Sequence, residues 1–87
     1  MTIWAFKRYE DLGGGGRSVW TEYYSSRESA KAAMEKAIDD KVWFLTGGNP
    51  DSARELMSKS VVCEEEFFLL DEGVEIRYSV EPAEVQD

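Results

Sequence analysis

The 87-residue sequence contains no histidine and a single cysteine, Cys63. Without histidine the chain lacks the side chain most used for proton transfer near neutral pH and most used to hold a metal ion. Ser-His and Cys-His chemistry are thereby excluded. A lone cysteine cannot close an internal disulfide, so nothing in the chain asks for an oxidising compartment, and a cytoplasmic setting is expected. No apolar run approaches the 18 or so residues of a membrane span, and residues 1 to 8 lack the long apolar stretch of an export signal. Basic residues are scarce too, ten against eighteen acidic, for a formal charge of −8. Direct contact with nucleic acid or with an anionic membrane is therefore disfavoured.

What is present is enough to fold. Hydrophobic residues make up 43% of the chain and aromatic residues 13%, which supplies the apolar area a domain needs to offset its ordering entropy. The length suits one hydrophobic core, predicted over residues 1–82, with 83–87 as a loose acidic tail.

The charge is unevenly distributed along the sequence. Acidic and basic residues balance through residue 60, after which Arg77 stands alone against Glu64, Glu65, Glu66, Asp71, Glu72, Glu75, Glu81, Glu84 and Asp87. The whole surplus of negative charge lies in the last third of the chain.

Residues 2–10 and 17–25 are rich in aromatic and β-branched side chains and flank Gly13 to Gly16, which reads as a β-hairpin with a flexible tip. A phosphate loop would need Gly-Lys-Ser/Thr leading into a helix, whereas Gly16 is followed by Arg17-Ser18 and a strand. Ser25 and Glu28 have the spacing of a capping box, so a helix is expected to start there. Its apolar stripe passes through Ala30, Met34, Ala37, Ile38, Phe44 and Leu45, with Val42 at the margin and Trp43 pointing away; Gly47 ends it. Asn49-Pro50 is a cap followed by proline at the first helical position, giving a second helix over about residues 50 to 59. From Val61 the pattern turns to strand. Val74, Ile76, Tyr78 and Val80 alternate with Glu75, Arg77, Ser79 and Glu81, and Pro82 is expected to end the run.

A turn at Leu70-Asp71-Glu72-Gly73 with a bulged glycine places Leu69 opposite Val74, Phe67 opposite Ile76 and Glu66 opposite Arg77. Phe67, Leu69, Val74, Ile76 and Tyr78 then share the core face, to which Glu65 also turns. The fold class that follows is α+β, with two hairpins forming an antiparallel sheet, two helices between them (ββααββ) and the helices on one face.

No motif marks a catalytic, cofactor or metal site. The carboxylate clusters have no spaced calcium loop among them and read as a solvated face. Cys63, set among carboxylates, reads as a small buried apolar group rather than a reactive thiol. Function is expected of a surface. Glu64 and Glu66, with Glu75 and Glu81 on the adjacent strand, would form a rigid negative array, and Trp43 and Phe68 are apolar groups left outside the core. The first expectation is a non-enzymatic module that docks on the basic, nucleic-acid-binding surface of a protein partner, as phage-type inhibitors and DNA mimics do. The alternative is a homodimeric structural or accessory protein that buries an aromatic sheet face, with acidity serving only solubility.

Overall fold

A computed structural model describes residues 2–84. Its order is β1 (Thr2–Asp11), β2 (Arg17–Tyr24), α1 (Arg27–Thr46), α2 (Pro50–Ser58), β3 (Ser60–Val62), β4 (Glu66–Asp71) and β5 (Val74–Glu84). The five strands form one antiparallel sheet in the order β2-β1-β5-β4-β3. The α+β class therefore holds, but the order is ββααβββ. The additional strand, β3, is only three residues long and folds back on β4 through a tight turn closed by the Cys63 N–H donating to the Glu66 carbonyl at 2.8 Å.

Period-two alternation assigns the sheet's faces. Phe6, Phe67, Leu69, Ile76, Tyr78 and Val80 turn to one side and meet Ala30, Met34, Ala37, Ile38 and Val42 of α1, with Ala53, Leu56 and Met57 of α2 packed at the margin. Within this core Phe6 and Tyr78 meet edge to face, their ring centroids 5.4 Å apart. Both helices lie on this face, and the opposite face carries no element among the described residues.

Several local expectations need correction. The N-cap of α1 is Ser26, whose hydroxyl accepts from the Ser29 N–H at 3.1 Å, so the Ser25–Glu28 pair does not cap the helix. Helix α1 does run to Thr46 and stops at Gly47 in the left-handed conformation. Its buried stripe takes in Val42 and leaves Phe44 exposed, under the Lys41 ammonium 6.0 Å from its ring. Cys63 is exposed.

The second hairpin is registered two residues further along than expected, with Asp71 opposite Val74, Leu69 opposite Ile76 and Glu66 opposite Ser79. Glu72 and Gly73 form a two-residue turn with φ of 44° and 86°, which has the right-handed twist a tight hairpin needs. A shift of two keeps every side chain on its face, so the predicted core survives it.

Pro82 does not end β5. The Val80 N–H donates to the Glu65 carbonyl at 2.8 Å. Two residues on, the Pro82 nitrogen faces the same side, beyond the start of β4 at Glu66, where no ladder partner is lost. Residues 83 and 84 thus belong to β5 rather than to a tail. The rest of the expected tail, 85–87, lies outside the described residues.

Candidate functional site

On β1 the alternation that turns Trp4 and Phe6 inward also turns Arg8 and Glu10 inward. Glu10 is the buried charged residue of the core layer, 6% exposed. One carboxylate oxygen accepts from the Lys41 ammonium of α1 at 2.7 Å; the other accepts from the Tyr78 hydroxyl at 2.5 Å and from Arg8 at 3.0 Å. Arg8 also reaches Glu22 at 3.3 Å, and its guanidinium lies 4.4 Å from the Trp20 ring centroid. Glu22 in turn accepts from the Trp20 indole at 3.1 Å and from the Tyr24 hydroxyl at 2.9 Å.

Burial alone would push the Glu10 pKa up, but the bonds from Lys41, Tyr78 and Arg8 outweigh it and hold the carboxyl below its ordinary value. Glu22 shows the same balance, with burial opposed by Trp20, Tyr24 and Arg8, and its pKa is also lowered. Burial and the Glu10 carboxylate together push the Tyr78 phenol well up. The cluster is a charge-matched strut between sheet and helix. Its carboxylate is fixed as an anion and its phenol as a neutral donor, which leaves neither suited to exchanging a proton near neutral pH.

The surface residues expected to act together divide. By register, Glu66, Phe68, Glu75 and Glu81 share the open sheet face. Glu64 does not join them. It sits in the turn between β3 and β4, 3.6 Å from Arg27 and 3.6 Å from Lys31, because the chain is not in strand conformation at residues 63–65 and strand alternation does not apply. Glu65 meets Arg27 at 2.6 Å. Trp43 lies in the helix layer, 67% exposed, its indole over Gly48.

On the open face Glu75 pairs with Arg77 at 2.5 Å and Glu81 pairs with Lys7. Phe68 is half-buried, with the Arg77 guanidinium 5.0 Å from its ring centroid. Asp71, too, is held by Lys59 at 3.2 Å. Basic side chains drawn from the neutral two thirds of the sequence thus cover much of the surplus that the last third carries. Spare negative charge is divided between Glu66 and Glu72, which stay exposed in the last third, and the outer ridge of α1, where Glu28, Glu35 and Asp39 recur at helical spacing and are exposed.

The open face carries Asp11, Glu66, Glu75 and Glu81 against Lys7, Arg17 and Arg77, close to balance, and it forms a shallow trough of about 440 Å³. Its charge is concentrated on the central strands β1 and β5, beside half-buried Tyr9 and Phe68, whereas the most exposed apolar groups stand at the margins. Val19 and Tyr23 of β2 are 71% and 63% exposed, and Val61 and Leu70 are exposed on the opposite side. Sequence reasoning did not single out Val19 and Tyr23; their even spacing on a strand that ends a sheet was the signal available. No group of acidic or cysteine side chains able to hold a metal ion occurs among the described residues. Among those residues, no helix is long and apolar enough to cross a membrane. No family model matches the chain, and neither a curated protein nor a solved structure matches it.

Proposed function

We propose that this chain is a non-enzymatic protein-interaction module that binds through β2, the outer strand of its first hairpin. The observation that carries this reading is an eight-residue strand at the sheet edge, none of whose residues is buried, with Val19 and Tyr23 exposed on its open face to either side of Thr21. A strand edge presents unpaired N–H and C=O groups, and proteins ordinarily blunt such edges with proline, a bulge, inward charge or short length. Strand β3, the other edge, is protected by being three residues long. Between Arg17 and Tyr24 there is no proline, the pairing with β1 is unbroken from Asp11–Arg17 to Trp4–Tyr24, and the one inward charge, Glu22, is tied to Arg8, Trp20 and Tyr24 of the same sheet.

The centre of the open face fits a docking role less well. Interface cores are depleted of charge, and covering this face would desolvate the Lys7–Glu81 and Arg77–Glu75 pairs. A catalytic role has little support in a chain without histidine whose buried carboxylate is fully partnered. A cytoplasmic setting accords with a single exposed, unpaired cysteine.

A second reading keeps the acidic surface as the contact, docking on a basic protein surface as an inhibitor or DNA mimic does. It is favoured by the exposed carboxylates of the α1 ridge rather than by the second hairpin, whose Glu75 and Glu81 already have cationic partners. The experiment is capture from extract by immobilised wild-type protein and by a V19S/Y23S variant. The β2 reading expects proteins retained by the first and released by the second. Identical retention on both sinks it.

A further inference from the structure

We infer that the occupant of the β2 edge is a second copy of this chain, paired antiparallel to β2 about a two-fold axis at Thr21, so that two five-stranded sheets become one of ten strands. The inference rests on the reading above that β2 is the docking strand, and it adds which strand docks there.

The register follows from what the strand displays. Faces are kept across an antiparallel pair only when residue numbers sum to an even value, since a one-residue slip turns every side chain over. Centred on Thr21, Val19 meets Tyr23 of the second copy and Tyr23 meets its Val19, which gathers the exposed apolar groups of both strands into one cluster on the open face. On the helix face Trp20 meets Glu22, and the indole already donates to a Glu22 carboxylate within each chain. Centred instead on Trp20, the pairing would set Val19 against Thr21 and Tyr23 against Arg17, and its one aromatic pair, Trp20 with Trp20, would fall on the helix face where each indole is already held by Glu22 and stacked on Arg8.

Charge directs two copies to this seam rather than to any other, because the strand itself is nearly neutral. The molecule carries −8, and most approaches of two copies bring like charges together. Strand β2 holds one cation, Arg17, and one anion, Glu22. In the Thr21 register neither lies opposite its own kind. The acidic ridge of α1 belongs to the other layer. A seam of eight residues covers less than the roughly 800 Å² per partner of a standard interface, so the dimer is reversible and its population follows concentration.

The test uses the full chain. Sedimentation velocity of purified protein from about 5 μM to 1 mM is expected to show a monomer giving way to a dimer, with the dissociation constant in the micromolar range. Replacing Val19 and Tyr23 with lysine is expected to weaken association about tenfold, because apolar cross-strand pairs become like-charged ones. Since both side chains are exposed, the variants keep the fold, which circular dichroism checks.

Position is tested by cross-linking in a C63S background. At the two-fold axis opposed Cα atoms lie about 4.5 to 5.5 Å apart, within disulfide reach, so T21C is expected to form a covalent dimer under mild oxidation. In the same register R17C lies about 26 Å from its mate and should not. A protein that stays monomeric to 1 mM overturns the inference, while V19S/Y23S-sensitive capture of another protein would leave the β2 reading standing. A dimer that cross-links through R17C and not T21C overturns the register and with it the inference.

Discussion

Glu10 shows how a single carboxylate can decide the pH range in which a small acidic domain holds together. Its folded pKa lies below the ordinary 4.5, because Lys41, Tyr78 and Arg8 favour the charged form more than burial disfavours it. Glu22 is lowered likewise. A carboxyl whose folded value is depressed adds stability that is present above its unfolded value and is lost as pH falls through its folded value. Urea unfolding midpoints are therefore expected to be flat from about pH 7 to pH 5 and to fall steeply below about pH 4.5. In Glu10→Gln the acid limb should be shallower, since one of the two responsible groups no longer titrates. An unchanged limb would mean that Glu10 is not held as the geometry describes. The same residue marks a limit of sequence reading. Both faces of the first hairpin are partly apolar in sequence, so alternation does not by itself turn Glu10 inward, and its partner Lys41 is 31 residues away on a helix, a meeting no local pattern announces.

Among the elements, the turn between β4 and β5 is where local sequence and final geometry disagree most. Leu70-Asp71-Glu72-Gly73 suits a turn in which only the glycine is left-handed, yet Glu72 also occupies that region with φ of 44°. Asparagine tolerates that conformation, and Asn-Gly is the favoured pair for a two-residue hairpin. Glu72→Asn is expected to raise stability by about 0.5 to 1 kcal/mol, read as a higher urea midpoint with an unchanged slope. A lower midpoint would favour the longer turn and the register that goes with it. Elements whose signals are local were legible: the first hairpin, the stop of α1 at Gly47, and Asn49-Pro50 opening α2. Three features were not, and each depends on a neighbour. Strand β3 exists because β4 offers it an edge, β5 continues through Pro82 because β4 starts only at Glu66 and does not reach it, and Cys63 is exposed because it opens the turn between β3 and β4. A strand's faces are written in its own sequence, whereas its length and register are negotiated with the strand beside it.

At the scale of the whole molecule, charge summed along the sequence differs from charge arranged in space. The last third of the chain carries the surplus, but Lys7, Arg27, Lys31 and Lys59 are drawn to Glu81, Glu65, Glu64 and Asp71, and the exposed excess is shared between the α1 ridge and carboxylates such as Glu66 and Glu72. This arrangement separates the two interaction readings by the sign of their response to salt. Docking of an acidic ridge on a basic partner gains from attraction, so added salt weakens it. Pairing of two copies through the nearly neutral β2 edge gains nothing from long-range charge and works against the repulsion between two molecules of −8. Screening that repulsion favours the dimer. Between about 50 mM and 500 mM sodium chloride the screening length falls from roughly 14 Å to 4 Å, short enough to uncouple the outer layers of two copies joined edge to edge. Sedimentation of the purified chain is therefore expected to give a dissociation constant several-fold lower at the higher salt, with the V19S/Y23S variant associating more weakly at both. A dimer that loosens as salt is raised would place oppositely charged surfaces in the contact, and the β2 edge would then be the wrong seam.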